Sequence, residues 1–480
     1  MLTLILILLP LLTGLAVLFI RNEALAKRVA ITGGFVGLAY TLYVLALFTK
    51  GVGDFNYTAA WIPSIGVNFH IGLDGLSMLM VLLTNLLAPF IYLSGIHKKQ
   101  PRTAVLYALM LFMQAAMLGV FTALDGFLFY IFWELSLIPI YFIVLIWGGE
   151  RRQIITLKFF IYTLLGSLLM LIAIIVLYLK TPDGDWEWIS FIHNHISADA
   201  QGVLFWFMFL AFAIKMPVFP FHTWQPSTYT TAPSQGTMML SGIMLKMGIF
   251  GVMRWLLPVL PLGVQQWGTT ALILSIIGII YASILAFKQK DLKTLIAYSS
   301  IAHVGLVSAG LFAHSAQALQ GAAFQMLVHG INVIGLFYII ELIERRVDTR
   351  DLTLLGGIKI KAPKLSFLFM IMLLGSVGLP LTNGFVGEFL LITGIFHAGI
   401  WYALLAGLTI IMGAIYMLYA FQKVMLGDTN TLTVQFTDIK GVELAVLIPL
   451  ALLVILLGVY PQPILDLTSG VVDQILKLSI

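Results

Sequence analysis

The stretch from Leu204 to Trp255, LFWFMFLAFAIKMPVFPFHTWQPSTYTTAPSQGTMMLSGIMLKMGIFGVMRW, decides the fold. It is apolar enough for a lipid bilayer, yet Lys215 and Lys246 lie far from either end. The four prolines between these lysines prevent one continuous helix, because proline lacks an amide proton and crowds the preceding turn. In hydrocarbon, a broken helix survives only where protein or water satisfies the freed backbone groups. A broken span beside buried lysines therefore predicts a transport site.

The composition is that of a polytopic membrane protein. Of the 480 residues, 60% are hydrophobic and 10% are charged, against roughly 25% charged in a soluble domain. The chain has no cysteine, which excludes disulfides, thiolate-bound iron–sulfur clusters and zinc–thiolate sites within it. It also contains no nucleotide-binding loop and no dinucleotide fingerprint. We therefore expect no cofactor and no metal in this chain.

Apolar runs of about 20 residues mark membrane-spanning helices, and the sequence contains fourteen. Two of them, 203–229 and 364–398, are too long for one straight span. The first holds three prolines and the second holds the break GLPLTNG, so each is predicted to be a broken helix. The first run is expected to be a retained span. We predict an all-α membrane protein with about fourteen transmembrane helices, at 2–20, 28–48, 73–96, 104–122, 126–147, 153–179, 203–229, 234–256, 267–287, 293–312, 316–343, 364–398, 401–425 and 442–460.

The distribution of basic residues predicts the orientation. Nineteen of the 26 Lys and Arg residues fall in loops on one side of the predicted membrane. The other side receives only Lys50, Lys180, Arg254 and Lys477. Because basic loops stay in the cytoplasm, we expect a bacterial cytoplasmic (inner) membrane protein with both termini on the outer, periplasmic side. The net charge of +5 thus reflects topology and does not indicate nucleic-acid binding.

Two acidic residues lie deep inside the predicted spans. Glu134 follows Asp125 by nine residues, which places it about 14 Å from the outer end of its helix. Glu388 precedes Gly399 by eleven residues, about 16 Å from the same face. Both depths are near the middle of a hydrocarbon core about 30 Å thick. Lys215 and Lys246 lie at similar depth. The other candidate site residues are Lys158, His222, His303 and His329.

Each candidate has a structural alternative. Lys158 can extend to the cytoplasmic interface along its apolar stem, and His303 and His329 can be core histidines with one hydrogen bond each. Glu134 and Glu388 can be neutral acids bonded to a carbonyl. For the two central lysines this alternative is weaker, because a buried ammonium costs several kcal/mol unless it is paired. Acids, lysines and histidines at one depth are what a proton relay requires.

Burial and pairing act in opposite directions on the protonation of a lysine or a glutamate. A Glu–Lys pair that opens and closes therefore switches between holding and releasing a proton. Broken helices supply water and flexible backbone where such switching takes place.

At these residues the chain resembles the antiporter-like membrane subunits of proton-pumping NADH:quinone oxidoreductase (respiratory complex I) and their relatives in multi-subunit sodium/proton antiporters. The resemblance covers about 72–425. It rests on FWELSLIP around Glu134, LKFFIYT around Lys158, AIKMPVFPFHTW around Lys215, IMLKMG around Lys246, DLKTLIAYSSIAHVG around His303, QMLVHG at His329 and NGFVGEF at Glu388.

The resemblance implies two inverted five-helix repeats, each with one broken helix. They would occupy 104–256 and 293–425, with N-terminal helices in 1–103. A connecting region at 257–292 would include the first span of the second repeat, and 426–480 would hold the last helix and an interfacial tail. By the same resemblance the chain is a proton-translocating subunit that is driven by redox chemistry elsewhere. Its partners are other membrane subunits of complex I, especially the neighbouring antiporter-like ones, and the lipid bilayer.

The resemblance also implies roles for individual residues. Glu134 and Lys215 would form the pair of the first repeat, Lys246 would link the repeats, and Glu388 would end the second. A lysine after NGFVG is typical of the L and N subunits and the antiporter homologues, whereas glutamate is typical of the M type, the counterpart of mitochondrial chain 4. Glu388 therefore indicates the M type.

One departure from the family pattern concerns proton uptake. After HTW the family usually has L-P-D-A-H, but here Gln225 to Tyr229 read QPSTY. The usual acid and histidine are missing, and Thr231 stands where a polar or acidic residue is common. Water, Tyr229 or a partner subunit are the alternative carriers toward Lys246. Two other functions also remain as alternatives: a subunit of a sodium/proton antiporter, and a structural coupling arm without its own proton path.

Overall fold

The computed structural model describes residues 1–181 and 184–479, which are predominantly α-helical. Within these ranges, twelve helices are long and apolar enough to cross a membrane. The shorter apolar helix Leu2–Leu18 and the broken span that starts with Pro363–Ser376 bring the number to fourteen. The predicted all-α membrane fold with about fourteen spans is confirmed.

Twenty α-helices follow one another along the described chain. They are α1 (Leu2–Leu18), α2 (Glu23–Thr49), α3 (Gly75–Ser94), α4 (Thr103–Thr122), α5 (Gly126–Trp147), α6 (Arg152–Lys180), α7 (Trp188–Ile192), α8 (Ala198–Lys215), α9 (Gln225–Thr231), α10 (Ser234–Met239), α11 (Lys246–Gly251), α12 (Pro261–Lys288), α13 (Leu292–Leu311), α14 (Ala316–Val347), α15 (Ile358–Lys361), α16 (Pro363–Ser376), α17 (Asn383–Ala398), α18 (Ile400–Met425), α19 (Val442–Val459) and α20 (Gln462–Leu478). Two π-helical turns, Leu240–Met244 and Val252–Leu256, lie within the eighth span.

The helices belong to two compact units. The first unit comprises Met1–Met216, Thr231–Thr270 and the C-terminal stretch from Asp466. The second comprises Pro217–Thr230 and Ala271–Leu465. One boundary therefore falls directly after Met216, at the break that the prolines impose. The finer division into two repeats and three flanking segments stays a prediction.

Aspartate residues begin three of the spans. Asp74, Asp125 and Asp291 precede α3, α5 and α13, respectively. The side-chain oxygen of each accepts a hydrogen bond from the backbone N–H three residues on, at 2.9, 2.9 and 2.7 Å. Such a cap satisfies one of the amide protons that a helix leaves free in its first turn. The starts of these helices are thus encoded locally.

Both predicted breaks are present. The helix α8 ends at Lys215 and α9 begins at Gln225, with turns between them. Gly248 on α11 allows close packing against the end of α8, because a Cβ there would lie only 2.8 Å from the Phe212 carbonyl oxygen. The second break separates α16 from α17 between Ser376 and Asn383.

Arg254 does not lie in an external loop, where the sequence had placed it. It belongs to the second π-helical turn and is 2% exposed. Its guanidinium pairs with Asp74, donates to the Ser77 hydroxyl at 3.4 Å and lies 5.0 Å from the centre of the Trp188 ring. The span ends at Leu256, as predicted, and its outer end holds a paired, buried cation.

A β-hairpin between α2 and α3 was not expected from the sequence. The strands β1 (Tyr57–Ile62) and β2 (Val67–Ile71) pair antiparallel around Gly66, which has a φ of +72°. His70 Nδ1 lies 2.6 Å from Glu187 Oε2 in the loop before α7. This contact attaches the hairpin to the long loop after α6.

Candidate proton-relay site

The second unit contains a buried carboxyl group in contact with a buried imidazole. Glu388 on α17 and His303 on α13 are 1% and 3% exposed, and Glu388 Oε1 lies 3.0 Å from His303 Nδ1. The two groups are at ion-pair distance but are not aligned for a hydrogen bond, and among the described residues neither carboxylate oxygen has a hydrogen-bond partner. A carboxylate accepts a proton and an imidazole can accept or donate one, so the two groups are chemically able to exchange a proton. The predicted relay residues Glu388 and His303 are thus in contact.

Polar groups from two further helices surround this pair. The ring centres of His329 on α14 and His303 are 6.4 Å apart. His329 Nε2 lies 3.0 Å from the Ser300 hydroxyl. Tyr416 on α18 donates a hydrogen bond to the Ser299 hydroxyl at 3.1 Å. Four helices therefore converge on one buried group of titratable side chains.

The break between α16 and α17 positions Glu388. Gly378 has a φ of +67°, a conformation that favours glycine. A Cβ at Gly378 would overlap Oε2 of Glu388, so this glycine leaves room for the carboxylate. Asn332 and Asn383 exchange amide hydrogen bonds of 3.1 and 3.2 Å across the break. These bonds attach the start of α17 to α14 directly after the break.

The first unit places a buried lysine at the end of α8. Lys215 is 3% exposed, and its ammonium lies 5.0 Å from the centre of the Trp133 ring, a cation–π distance. Glu134, the next residue on α5, is half-buried, and its charge acts on Lys215. Within the described parts of the chain these two residues do not come within ion-pair distance. The predicted pair is therefore close, because Glu134 adjoins the tryptophan that Lys215 contacts, but the two charged groups do not form an ion pair.

Lys158 stands apart from this group. It lies on an exposed face of α6, with its ammonium 5.8 Å from the centre of the Tyr162 ring. An exposed lysine near the basic end of its helix fits the interfacial alternative better than the relay. We therefore assign Lys158 no part in the buried line.

Lys246, the second lysine of the opening stretch, is fully buried. Its ammonium donates a hydrogen bond of 2.6 Å to the carbonyl oxygen of Ser241. Ser241 belongs to the π-helical turn Leu240–Met244, which ends two residues before Lys246. Such turns are frequent at functional sites because they alter the regular backbone hydrogen bonding. The local backbone thus provides the carbonyl that binds this cation.

His222 precedes α9, and α9 carries the residues that depart from the family pattern. The His222 ring is 4% exposed and lies 5.7 Å from the Phe219 ring and 5.2 Å from the Tyr281 ring. Gln225 and Tyr229 lie one turn apart on α9, are fully buried, and their side chains contact each other. Together with the buried Thr228, they form what we call the polar face of α9. It contains no group that is charged at neutral pH.

A family model described as NADH:quinone oxidoreductase/Mrp antiporter, TM, matches residues 123–414. The chain belongs to this family. It is 39% identical over 480 residues to the NADH-quinone oxidoreductase subunit M of Rickettsia conorii, an alignment that covers 98% of this chain and 97% of the relative. The M type that Glu388 indicated is confirmed.

Two solved structures share the fold of this family member. A chain of respiratory complex I from Thermus thermophilus, solved with bound NADH, superposes with a TM-score of 0.93 at 30% identity, with 100% of both chains covered. A chain of the Mrp complex from Dietzia superposes with a TM-score of 0.87 at 21% identity, covering 99% of this chain and 97% of the other. The second similarity concerns the fold alone.

From the sequence, two buried lysines of this family member counted only as basic residues at the predicted cytoplasmic ends of spans. Lys293 is the second residue of α13, is 4% exposed, and donates to the Thr230 carbonyl oxygen at 3.4 Å. Lys27 lies in α2 and donates to the carbonyl oxygens of Ile96 and Lys98, at 3.0 and 2.5 Å. The signal for Lys293 was Asp291, because an aspartate before an apolar run marks a helix start.

Asp125 is a further titratable group that the sequence identified only as a marker of depth. It caps α5, accepts a hydrogen bond from the Asn68 backbone N–H at 3.1 Å, and is fully buried. Burial, reinforced by the charge of Glu187, raises the pKa of Asp125 to about 6 despite the backbone N–H donors that oppose the shift. This carboxyl group exchanges protons near neutral pH at the outer end of the span that carries Glu134.

We expect Gly378→Ala to displace Glu388 and to reduce proton pumping strongly. A left-handed backbone costs a non-glycine residue about 1–2 kcal/mol, and the new Cβ would also occupy the position of the carboxylate. The measurement is the initial rate of NADH-driven proton uptake by proteoliposomes that contain the whole complex, together with the thermal stability of the complex.

Gly427→Ala is the matched control for this change. Gly427 has a φ of +81° and no atom within 4 Å of its ideal Cβ position. The control therefore carries a similar backbone strain without contact to the site. Equal losses of pumping in the two variants would show that strain alone acts and that Gly378 does not position Glu388.

Proposed function

We propose that the buried line of Glu134, Lys215, Lys246, His303, His329 and Glu388 carries protons across the membrane. The chain is a proton-translocating membrane subunit of NADH:quinone oxidoreductase, and it works beside other antiporter-like subunits of that complex. The observation that carries the proposal is the contact between Glu388 and His303, at 3.0 Å and almost completely buried. A carboxylate and an imidazole with free hydrogen-bonding positions are suited to pass a proton between them.

The redox chemistry belongs to other subunits in this proposal. The chain has no cysteine and, by its sequence, no nucleotide-binding loop, so we assign it no cofactor. Its two repeats, at 104–256 and 293–425, would each use one broken helix. Neither repeat is proposed to bind nucleic acid.

The proposed location is a bacterial cytoplasmic membrane with both termini on the periplasmic side. Nineteen Lys and Arg residues in loops of one side, against four on the other, support this orientation. The buried position of Arg254 removes one residue from the smaller group and leaves the asymmetry intact. We refer to the richer side as the basic side.

A sodium test separates this function from that of a sodium/proton exchanger. We expect proteoliposomes with the whole complex to pump protons in sodium-free buffer, and added sodium to leave the initial rate unchanged, because no step in the buried line requires a metal ion. The measurement is NADH-driven quenching of a pH-sensitive dye at matched ionic strength, with potassium as the control cation. A strict sodium requirement would favour the exchanger.

The third function, a coupling arm without a proton path, makes a different prediction. In that case, variants of Glu388 that cannot ionise would pump normally as long as the complex assembles. The same proteoliposome assay therefore distinguishes all three functions.

A further inference from the structure

The missing acid and histidine on α9 leave the polar face of α9 without a charged residue that delivers protons from the basic side. A charged residue is needed here only if the chain conducts protons. A role for neighbouring residues in proton uptake therefore rests on the proposed function. Within the second unit, the segment next to the end of α9 is the start of α13. Its residues supply charged groups next to α9, which has none of its own.

A charged pocket lies at this end of the second unit. It has a volume of about 360 Å³ and combines four carboxylates with two bases. Its lining residues are Lys290, Asp291, Glu344, Asp348, Thr349, Arg350 and Asp351. Lys290 and Asp348 are exposed and the other five are partly exposed, so the pocket is in contact with solvent. An excess of carboxylates attracts cations from solution, including protons.

Hydrogen bonds connect this pocket to α9. Asp291 accepts from the Thr294 hydroxyl at 2.9 Å and from Nε of Arg350 at 2.9 Å. The Thr294 hydroxyl is in turn 3.2 Å from the Thr230 hydroxyl, in the last turn of α9. The carboxylate thus holds Thr294 in place between the pocket and α9.

Lys293 lies at the inner end of this connection. Its side chain is 4% exposed, and its ammonium donates to the Thr230 carbonyl oxygen at 3.4 Å. Thr230 directly follows Tyr229, the last residue of the polar face of α9, and that face extends back to Gln225 over about 6 Å along the helix. Lys293 is thus a buried basic group that lies two residues after Asp291 of the solvent pocket and is bonded to Thr230 near the end of α9.

We propose that Lys293 takes up protons from this pocket and passes them to the polar face of α9, in place of the missing acid. The ammonium releases one proton to a water molecule at the polar face of α9, which becomes hydronium, and the lysine becomes an amine. The amine then accepts one proton from the water of the pocket, so that the ammonium is restored and one proton has moved inward. Thr230, Thr294 and Asp291 are positioning residues that hold the lysine and the hydroxyl groups in line.

The test is Lys293→Arg in the intact complex. Arginine keeps the positive charge and the hydrogen-bond donors but does not give up its proton, so a merely structural role would be preserved. We expect normal assembly and a fall in NADH-driven proton pumping of about tenfold or more, since one proton-transferring group contributes at least about 100-fold to its step. Lys293→Arg pumping within about twofold of the unmodified complex would overturn the proposal.

Matched variants complete the experiment. Lys288→Arg, an exposed lysine in the last turn of α12, should pump normally. Thr294→Val should pump poorly, whereas Thr294→Ser, which keeps the hydroxyl, should recover most of the rate; equal rates in these two variants would also contradict the proposal. Glu388→Gln is the reference: if it stops pumping while Lys293→Arg does not, only the uptake assignment is wrong. If neither reduces pumping, the proposed function itself is wrong.

Discussion

Replacing Glu388 by glutamine is expected to abolish most NADH-driven proton pumping while the complex still assembles. Glutamine has nearly the same size and can still form hydrogen bonds, but it cannot ionise. At its present position, 3.0 Å from His303 Nδ1, it would leave the imidazole without a group that exchanges a proton. We expect a loss of about 100-fold, in line with the contribution of one acid–base group, measured as initial proton uptake by proteoliposomes.

Glu388→Lys and Glu388→Asp sharpen this experiment. Related subunits have lysine at the corresponding position, so the fold should accept it. The local charge would change by two units in a desolvated site, where interactions between charges far exceed those in water. His303 would then face a cation, and we expect an assembled complex that pumps poorly. Aspartate should retain part of the rate. If the glutamine and lysine variants both pump normally, Glu388 is a family marker and not a relay group.

The fold was largely predictable because its determinants are local. Each span is an apolar run, and the aspartates before α3, α5 and α13 mark helix starts by a mechanism that acts within four residues. The breaks were also predictable, since Pro217 and Pro220 exclude a regular helix and GLPLTNG combines glycine, proline and asparagine. The hairpin was missed because its strands are only six and five residues long and lie between two strong helix signals.

The site was predictable as a set of residues but not as a set of contacts. Glu388 and His303 were identified from the sequence because ionisable residues are rare in apolar spans and are usually functional there. Their pairing depends on how α13 packs against α17, which no local pattern reveals. Lys293 was missed for the opposite reason, since a lysine near a helix end looks like an ordinary loop charge. Lys158 was included because depth, counted along a helix, does not show which face a side chain occupies.

The two units hold their buried charges in different ways. In the second, a carboxylate and an imidazole are in direct contact, so the proton has two adjacent positions. In the first, the Lys215 ammonium rests near the Trp133 ring while Glu134 acts on it from outside ion-pair distance. Because an opposite charge close to a lysine favours its protonated form, a movement of Glu134 toward or away from Lys215 would change how firmly that lysine holds its proton.

Removal of that carboxylate is the second large effect that we expect. Glu134→Ala should abolish most NADH-driven proton pumping and leave assembly largely intact, because Glu134 is half-buried and its loss creates little cavity. The physical reason is that Lys215 loses the counter-charge that favours its protonated form. The measurement is again proton uptake by proteoliposomes, with the yield of purified complex as the check on assembly. Glu134→Asp should keep part of the rate, since the charge remains.

The control for Glu134→Ala is Glu150→Ala, which removes an exposed carboxylate in the loop after α5 and should not affect pumping.

A second comparison tests whether Glu134 acts through Lys215. If it does, Glu134→Ala will have no further effect in a complex that already carries Lys215→Met, because two residues of one pair show non-additive effects. Additive losses would mean that the two residues serve separate steps. A fully assembled Glu134→Ala complex that pumps at the normal rate would remove Glu134 from the relay and leave Lys215 stabilised by the Trp133 ring alone.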